Sequence, residues 1–303
     1  MSGEQPMVPR ARPSSYYGRP ILKRPVWRWP VPVYFFTGGL AGASSVVGLA
    51  ARLRGDARLA RRVEVTALGA IAASAGLLVD DLGRPGRFAN MLRVFRPSSP
   101  MNMGSWLLAG YGPAAGAAAV CDVAGILPSV RAAGEVAAAT LGPAVASYTA
   151  VLVADTAVPV WHEARRELPF VFAAGAAASA GAATLLHTPP AAAAGARRLV
   201  LLAAAADVVA TRAMERRLGP LGAPYREGPA AKRARLARGT MVIGAALAGT
   251  AGRRRRGAAA MGGSLVLAGC VLQRFAVFAA GVQSADDPRF VVEPQRARLE
   301  VRG

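Results

Sequence analysis

VPVYFFTGGLAGASSVVGLAARL, residues 31–53, carries a single charged side chain, Arg52, and the reading of this stretch decides the fold. At a rise of about 1.5 Å per residue, such a run makes a helix long enough to cross the ~30 Å hydrocarbon layer of a bilayer. Seven further apolar runs follow, at 63–79, 104–127, 136–160, 168–186, 199–214, 236–251 and 258–282. The sixth and seventh are short and more polar, so each alone also fits an interfacial or re-entrant segment. Their flanking arginines can snorkel to the headgroups, and both are counted as spans. The chain is therefore expected to be all-α, a polytopic membrane protein of about eight transmembrane helices in a bundle. The expected units are a basic, aromatic tail over 1–29, a four-helix half over 30–167, a second four-helix half over 168–282 and a tail over 283–303.

Composition agrees with this reading: of 303 residues, 53% are hydrophobic and only 18% charged, too apolar for an ordinary soluble domain. A net charge of +20 spread along one soluble face would suggest nucleic acid. Here the charges fall in short clusters between apolar runs, as loops at a bilayer surface do, so the expected partner is lipid and not nucleic acid. Arginine supplies 35 of the 37 basic residues and alanine runs such as 191–194 recur, which is compositional bias, so the distribution of charge is informative and its sum is not. On the side that holds both termini lie 24 of the 37, against 12 on the other, and the positive-inside rule then places both termini in the cytoplasm of a cell-membrane protein. Residues 1–29 lack the apolar core of a cleavable signal, which leaves targeting to the first helix.

Small residues at close spacing, Gly38, Gly39 and Gly42 in the first helix and Gly244 and Gly249 in the seventh, let helix backbones approach where lipid gives no hydrophobic drive to associate. Trp27, Trp29, Trp106 and Trp161 all fall at helix ends on the terminal side, the pattern of an interfacial belt, and its one-sidedness marks that side as the docking face.

The densest feature is the connection Asp80-Asp81-Leu82-Gly83-Arg84-Pro85-Gly86-Arg87-Phe88 with the stretch that follows, Asn90-Met91-Leu92-Arg93-Val94-Phe95-Arg96-Pro97. Gly83 and Pro85 impose a turn, after which Phe88, Met91, Leu92 and Phe95 recur at the spacing of a short amphipathic helix in the interface. Arg84, Arg87, Arg93 and Arg96 would then face headgroups or a docked partner. Acids inside spans are costly and are functional candidates by default. Asp80 and Asp81 close the second helix, and Asp155 lies late in the fourth, two turns beyond Tyr148 on the same face, with His162 just after it. A phenol, carboxylates and a histidine at one depth can hydrogen-bond the carbonyl oxygens of a quinone and move its protons. Asp80, Asp81 and Asp155 are the catalytic candidates, and Tyr148, His162 and Trp106 the quinone-facing ones. Asp207, near mid-membrane, and Arg274 read instead as bundle glue. His162 and His187 belong to opposite ends, so no bis-histidine haem fits, and Cys121 and Cys270 are too few for an iron–sulfur cluster. No metal-ligand set and no phosphate-cradling loop is present.

These residues carry a likeness. Asp81-Leu82-Gly83-Arg84-Pro85 with Arg87-Phe88, Met91-Leu92-Arg93-Val94-Phe95-Arg96-Pro97, Ser99-Pro100-Met101 and Gly104-Ser105-Trp106 resemble the membrane subunit of polysulphide reductase, the NrfD-type family. Tyr148-Thr149-Ala150-Val151-Leu152 and Pro159-Val160-Trp161-His162-Glu163 are similar to that family's fourth helix and the loop after it, and with Gly38-Gly39 the likeness covers roughly the first 170 residues. The resemblance implies a subunit that is not catalytic alone and holds no haem or iron–sulfur cluster. It implies an exchangeable quinone, with menaquinone the expected species, bound among the first four helices, and electron exchange with a separate iron–sulfur subunit joined to a molybdenum catalytic subunit. Tyr148 would contact the quinone. A histidine that some members carry at the start of the first helix is replaced here by Trp29-Pro30-Val31-Pro32-Val33-Tyr34, which leaves Tyr34 and Asp80 as candidates for the second contact. The family's best-known members dock their partner outside the cytoplasm, whereas the charge count puts the equivalent face inside.

Two alternatives stand beside the quinone-linked subunit: a transporter or proton-conducting protein, motivated by Asp207, and a structural anchor for a soluble redox enzyme. The topology is testable first. A cysteine placed at residue 90 should react with an impermeant thiol reagent in inverted membranes and stay unlabelled in intact cells, and labelling from outside would reverse the assignment.

Overall fold

The computed structural model describes residues 20–81, 86 and 88–300, with no side chain described for 88, 89 and 296–300. Eight long helices and one shorter helix account for most of them. They are α1 Pro30–Leu53, α2 Ala57–Asp81, α3 Pro100–Ala124, α4 Pro128–Ala154, α5 Leu168–His187, α6 Ala194–Leu218, α7 Gly228–Gly249, α8 Arg256–Asp286 and α9 Arg289–Glu300. Described strands are absent, and the fold is the expected all-α polytopic bundle.

Local chemistry sets the boundaries. Proline occupies the first turn of α1, α3, α4, α5 and α7, where its missing N–H costs nothing. Ser99 caps α3 by accepting from the Asn102 N–H, and Gly125 closes that helix in the left-handed region at φ 68°. The fourth run was expected to reach residue 160, but α4 stops at Ala154. Pro159 forces Val158 extended (φ −71°, ψ 118°), so the chain breaks and restarts as the short helix Pro159–Glu163. The sixth and seventh helices are longer than the apolar runs that announced them, because arginine is a good helix former and carries the helix on into the headgroup layer. Among the described residues six helices are long and apolar enough to span by composition; α6 and α7 are not among them, and their place rests on packing against α5 and α8.

Within the first four helices, α1 packs on α2 and α4, and α3 on α4 and α2. The same pairings recur among the next four: α5 packs on α6 and α8, and α7 on α8 and α6. At the centre α1 meets α5, flanked by the contacts α4 with α5 and α8 with α1. Glycine makes the tightest of these approaches. A Cβ on Gly42 would overlap the Gly142 carbonyl oxygen, and one on Gly142 would overlap that of Gly42, so α1 and α4 touch backbone to backbone. Gly244 and Gly262 do the same for α7 and α8, each Cβ meeting the other's carbonyl at 2.7 Å. Hydroxyl pairs add polar cross-links, Thr37 with Ser74 at 2.6 Å and Ser45 with Tyr111 at 2.7 Å.

The tryptophans are not all a belt. Trp29 and Trp106 are exposed, but Trp161 is fully buried, donates from Nε1 to the Val277 carbonyl at 2.8 Å, and stacks on Trp27 with ring centroids 5.6 Å apart. Its indole occupies the space that a side chain at Gly281 would fill. The break after α4 turns this residue inward.

Gly142→Leu should therefore force α1 and α4 apart and cost about 1–3 kcal/mol, the usual range for overpacking. Thermal unfolding in detergent should show it as a lowered midpoint. Gly69→Ala, whose added carbon meets nothing within 4 Å, should leave the midpoint unchanged or raise it.

Candidate functional site

A cavity of about 100 Å³ opens among α1, α2, α3 and α4 at the end that holds the start of α1. Its walls are mostly apolar, from Val31, Phe35, Leu77, Leu78, Leu108 and Leu152, with Trp27 from the segment before α1 and Met91 from the connection before α3. Four polar side chains interrupt them: Tyr34 on α1, Asp81 at the end of α2, Ser105 on α3, whose hydroxyl donates to the Met101 carbonyl at 3.1 Å, and Tyr148 on α4. The two tyrosine rings meet edge to face, centroids 6.5 Å apart. Gly104 makes room for this arrangement, since a Cβ there would overlap the Tyr148 ring. The Tyr148 hydroxyl is buried and has no hydrogen-bond partner among the described residues. A buried hydroxyl left unpaired costs about 1–3 kcal/mol, which an acceptor brought into the cavity would relieve. Few polar groups in an apolar concavity is the usual make-up of a small-molecule site.

The remaining sequence candidates lie around this cavity but are not among its described lining residues. Asp80 is exposed and pairs with Arg28 at 3.6 Å. Asp155 is exposed beyond the last turn of α4, its N–H bonded to the Val151 carbonyl at 2.9 Å. His162 sits in the short helix Pro159–Glu163 with Nδ1 3.2 Å from the Ala154 carbonyl. Trp106 donates to the Val94 carbonyl at 3.2 Å and meets the Phe95 ring edge to face. Arg84 and Arg87 lie outside the described residues; Arg93 and Arg96 are exposed.

The expected amphipathic helix is short, Phe88–Met91, and the reason is Asn102. Its amide Nδ2 donates to the carbonyls of Met91 and Val94, each at 2.8 Å, and its Oδ1 accepts from the Arg96 N–H at 2.6 Å. Carbonyls captured this way hold a loop rather than a helix. The loop is thereby pinned to the first turn of α3, with Met91 in the cavity wall and Arg93 and Arg96 pointing to its exposed side. Asn102 was not singled out in the sequence, although its position three residues after a capping serine was visible there.

A second constellation also escaped the sequence reading. At the opposite end of the same four helices, Arg52 reaches Glu135 at 2.9 Å, Asp122 at 3.0 Å and Glu64 at 3.3 Å. Arg61 pairs with Asp122 at 2.8 Å, and Arg131 pairs with Glu135. All three acids are buried. The signal was present, because Glu64 and Asp122 fall inside the expected spans, but both sit near span ends where acids pass for loop residues. The pair read as bundle glue is real with a different partner: Asp207 accepts twice from Gln273 Nε2 at 2.7 Å, while Arg274 donates to the Phe172 carbonyl at 2.8 Å and lies over its ring at 3.8 Å.

The sequence profile of the polysulphide reductase NrfD family matches residues 21–198, more than half of the chain and all four helices of the cavity. No curated protein matches it in sequence.

Removal of Arg52 would leave the buried Glu64 without a cation among the described residues, beside Asp122 and Glu135 that keep Arg61 and Arg131, so Arg52→Leu should cost about 3–5 kcal/mol, the range for breaking buried ion pairs, and Arg52→Lys less. Thermal unfolding of the two variants side by side checks the order.

Proposed function

Starting from the polysulphide reductase NrfD family, to which this chain belongs as a multi-pass membrane protein, we propose that it exchanges electrons between a membrane quinone held in the Tyr34–Asp81–Tyr148 cavity and a docked iron–sulfur subunit. The family gives the coarser statement, a membrane subunit of a polysulphide-reductase-like complex. The observation that carries the finer one is the buried hydroxyl of Tyr148, without a partner among the described residues, in a largely apolar cavity.

A quinone, with menaquinone the species proposed, supplies a carrier of two electrons and two protons that is soluble in the bilayer. The chain's own residues would do the rest. Tyr148 donates its hydroxyl hydrogen to one carbonyl oxygen, and Tyr34, across the edge-to-face contact, faces the other side of the same cavity. Asp81, half-buried in the wall at the end of α2, is placed to pass protons between the cavity and the aqueous layer. Asp80 beside it is held on the surface by Arg28, so of the two acids Asp81 takes the catalytic role. Leucines and Phe35 keep water from the ring. Met91 lines the cavity on the same loop that exposes Arg93 and Arg96, which would meet an acidic partner surface, so docking and quinone binding share one piece of structure. A molybdenum catalytic subunit would follow the iron–sulfur subunit in the complex. Both termini and this docking face are proposed to lie at the cytoplasmic surface of the cell membrane, on the charge distribution.

Tyr148→Phe keeps the ring and deletes one hydrogen bond, about 1–2 kcal/mol, and should weaken quinone affinity or turnover roughly five- to thirtyfold. Asp81→Asn should slow turnover more than it weakens binding, and Asp80→Asn should do neither. Quinol-linked electron transfer in membranes containing the whole complex, with assembly followed in parallel, makes the measurement. Wild-type turnover and affinity in assembled Tyr148→Phe and Asp81→Asn complexes would remove this pocket from consideration.

A further inference from the structure

At the end opposite the tyrosine cavity, a cleft of about 830 Å³ separates α1 from α6, with the last turns of α5 as its floor. That volume lies within the ~300–1,000 Å³ of small-molecule sites. Val46 and Val47 on α1 and Leu199 and Leu202 on α6 form its walls, and Leu202 is largely exposed. Val46 lies about 12 Å along α1 from Arg54 at ~1.5 Å per residue, so the cleft runs from the headgroup layer well into the hydrocarbon. An apolar slot at that depth has the shape and chemistry to take an acyl chain.

The mouth has a different chemistry. Arg54 and Arg198 line it from opposite walls, both exposed, and neither has an ion pair among the described residues. The Arg54 guanidinium reaches across the gap to within 4.0 Å of where a Cβ on Gly195 would stand, in the first turn of α6. Arg62 and Arg197 at the same level donate to the backbone carbonyls of His187 and Pro190, each at 2.6 Å, which leaves their charges uncompensated. Against these stands Asp56, whose carboxylate accepts from the Leu59 N–H at 3.0 Å and so serves the start of α2. The rim is net positive, and it is the cleft's apolar walls that decide between a free anion and a lipid.

We propose that this cleft binds an acidic phospholipid, the phosphate between Arg54 and Arg198 and one acyl chain between α1 and α6. Because α1 and α6 belong to the first and second sets of four helices, the lipid completes a junction that protein atoms leave open. The proposal does not depend on the quinone reading.

The test uses the full-length chain, stripped of lipid in detergent, titrated with phosphatidylglycerol, with phosphatidylcholine of the same chains, and with inorganic phosphate. Native mass spectrometry counts bound lipid and thermal unfolding reads its effect. One phosphatidylglycerol should be retained at least tenfold more tightly than phosphatidylcholine, since each headgroup-level arginine contributes about fivefold. R54Q/R198Q should bind both lipids alike, R54K/R198K should keep the preference, and Val46→Trp should block binding with the rim charges intact. R253Q/R254Q, which removes charge from a loop at the same end outside the cleft, should change nothing. Equal binding of the two lipids by the wild-type chain would overturn the proposal, as would stabilisation by phosphate equal to that by phosphatidylglycerol. A preference that survives in R54Q/R198Q or in Val46→Trp, or disappears in R253Q/R254Q, would do the same. If R54Q/R198Q fails to fold, the wild-type comparison and Val46→Trp still decide.

Discussion

The contact of Gly42 with Gly142 sets the geometry on which the candidate site depends. In lipid, helices gain nothing by hiding apolar surface from each other, so α1 and α4 hold together by the closeness of their backbones at this crossing. Tyr34 lies about 12 Å along α1 from Gly42, and Tyr148 about 9 Å along α4 from Gly142. The crossing therefore fixes how far apart the two tyrosines stand where the helices open into the cavity. Gly104 on α3 plays the complementary part, giving up its side chain so that the Tyr148 ring can turn toward α1.

The repeated pairing of α1–α4 in α5–α8 invites a comparison of the two helix sets. Each has a small internal space near the same end, but they differ in what lines it. The first is a largely apolar cavity of about 100 Å³, and the second, of about 20 Å³, is bordered by Asp207, Thr211, Tyr225, Arg238 and Gln273; each has a tyrosine in its wall whose buried hydroxyl has no partner among the described residues, Tyr148 in the first and Tyr225 in the second. A volume near 20 Å³ accommodates a water molecule, which needs ~10–15 Å³, and nothing larger. In the second, Gln273 Nε2 is bonded to Asp207 and Arg238 pairs with Glu215, while the Tyr225 hydroxyl and Gln273 Oε1 have no partner among the described residues. The first cavity is proposed for the quinone because it is the larger of the two and its walls are mostly apolar, not because of the helix arrangement. Nor do the eight long helices contain the unwound midplane segments on which many transporters build their sites, which leaves the transport reading without its characteristic element among the described residues.

Hydropathy made the helices legible, because a bilayer demands runs of about twenty apolar residues and prolines and glycines then mark the ends. What hydropathy does not carry is direction around the helix axis. Trp161 was placed in a surface belt because tryptophan favours interfaces, and only the kink at Val158–Pro159 turns it into the core. Asp81 and Asp80 are neighbours in sequence, yet one lines the cavity and the other pairs with Arg28 outside it. Asp155 shares the Tyr148 face only if α4 continues, and it ends one residue earlier. The Arg52 network was hidden for a related reason: its members come from four helices, at positions where each alone reads as the end of a span. Tyr148 was legible because its neighbours in sequence carry a recognisable family pattern, not because a lone tyrosine in an apolar run signals anything.

The central claim is that the first four helices, at the end bearing Tyr34 and Tyr148, hold the quinone. A photoreactive azido-menaquinone analogue cross-linked to the intact complex, with the modified peptides mapped by mass spectrometry, addresses it without relying on turnover. The account predicts label on the segments around 31–35 of α1 and 148–152 of α4, competed away by unmodified quinone and diminished when Gly104→Leu fills the cavity. Competable label confined to α5–α8, with none on α1 or α4, would contradict it.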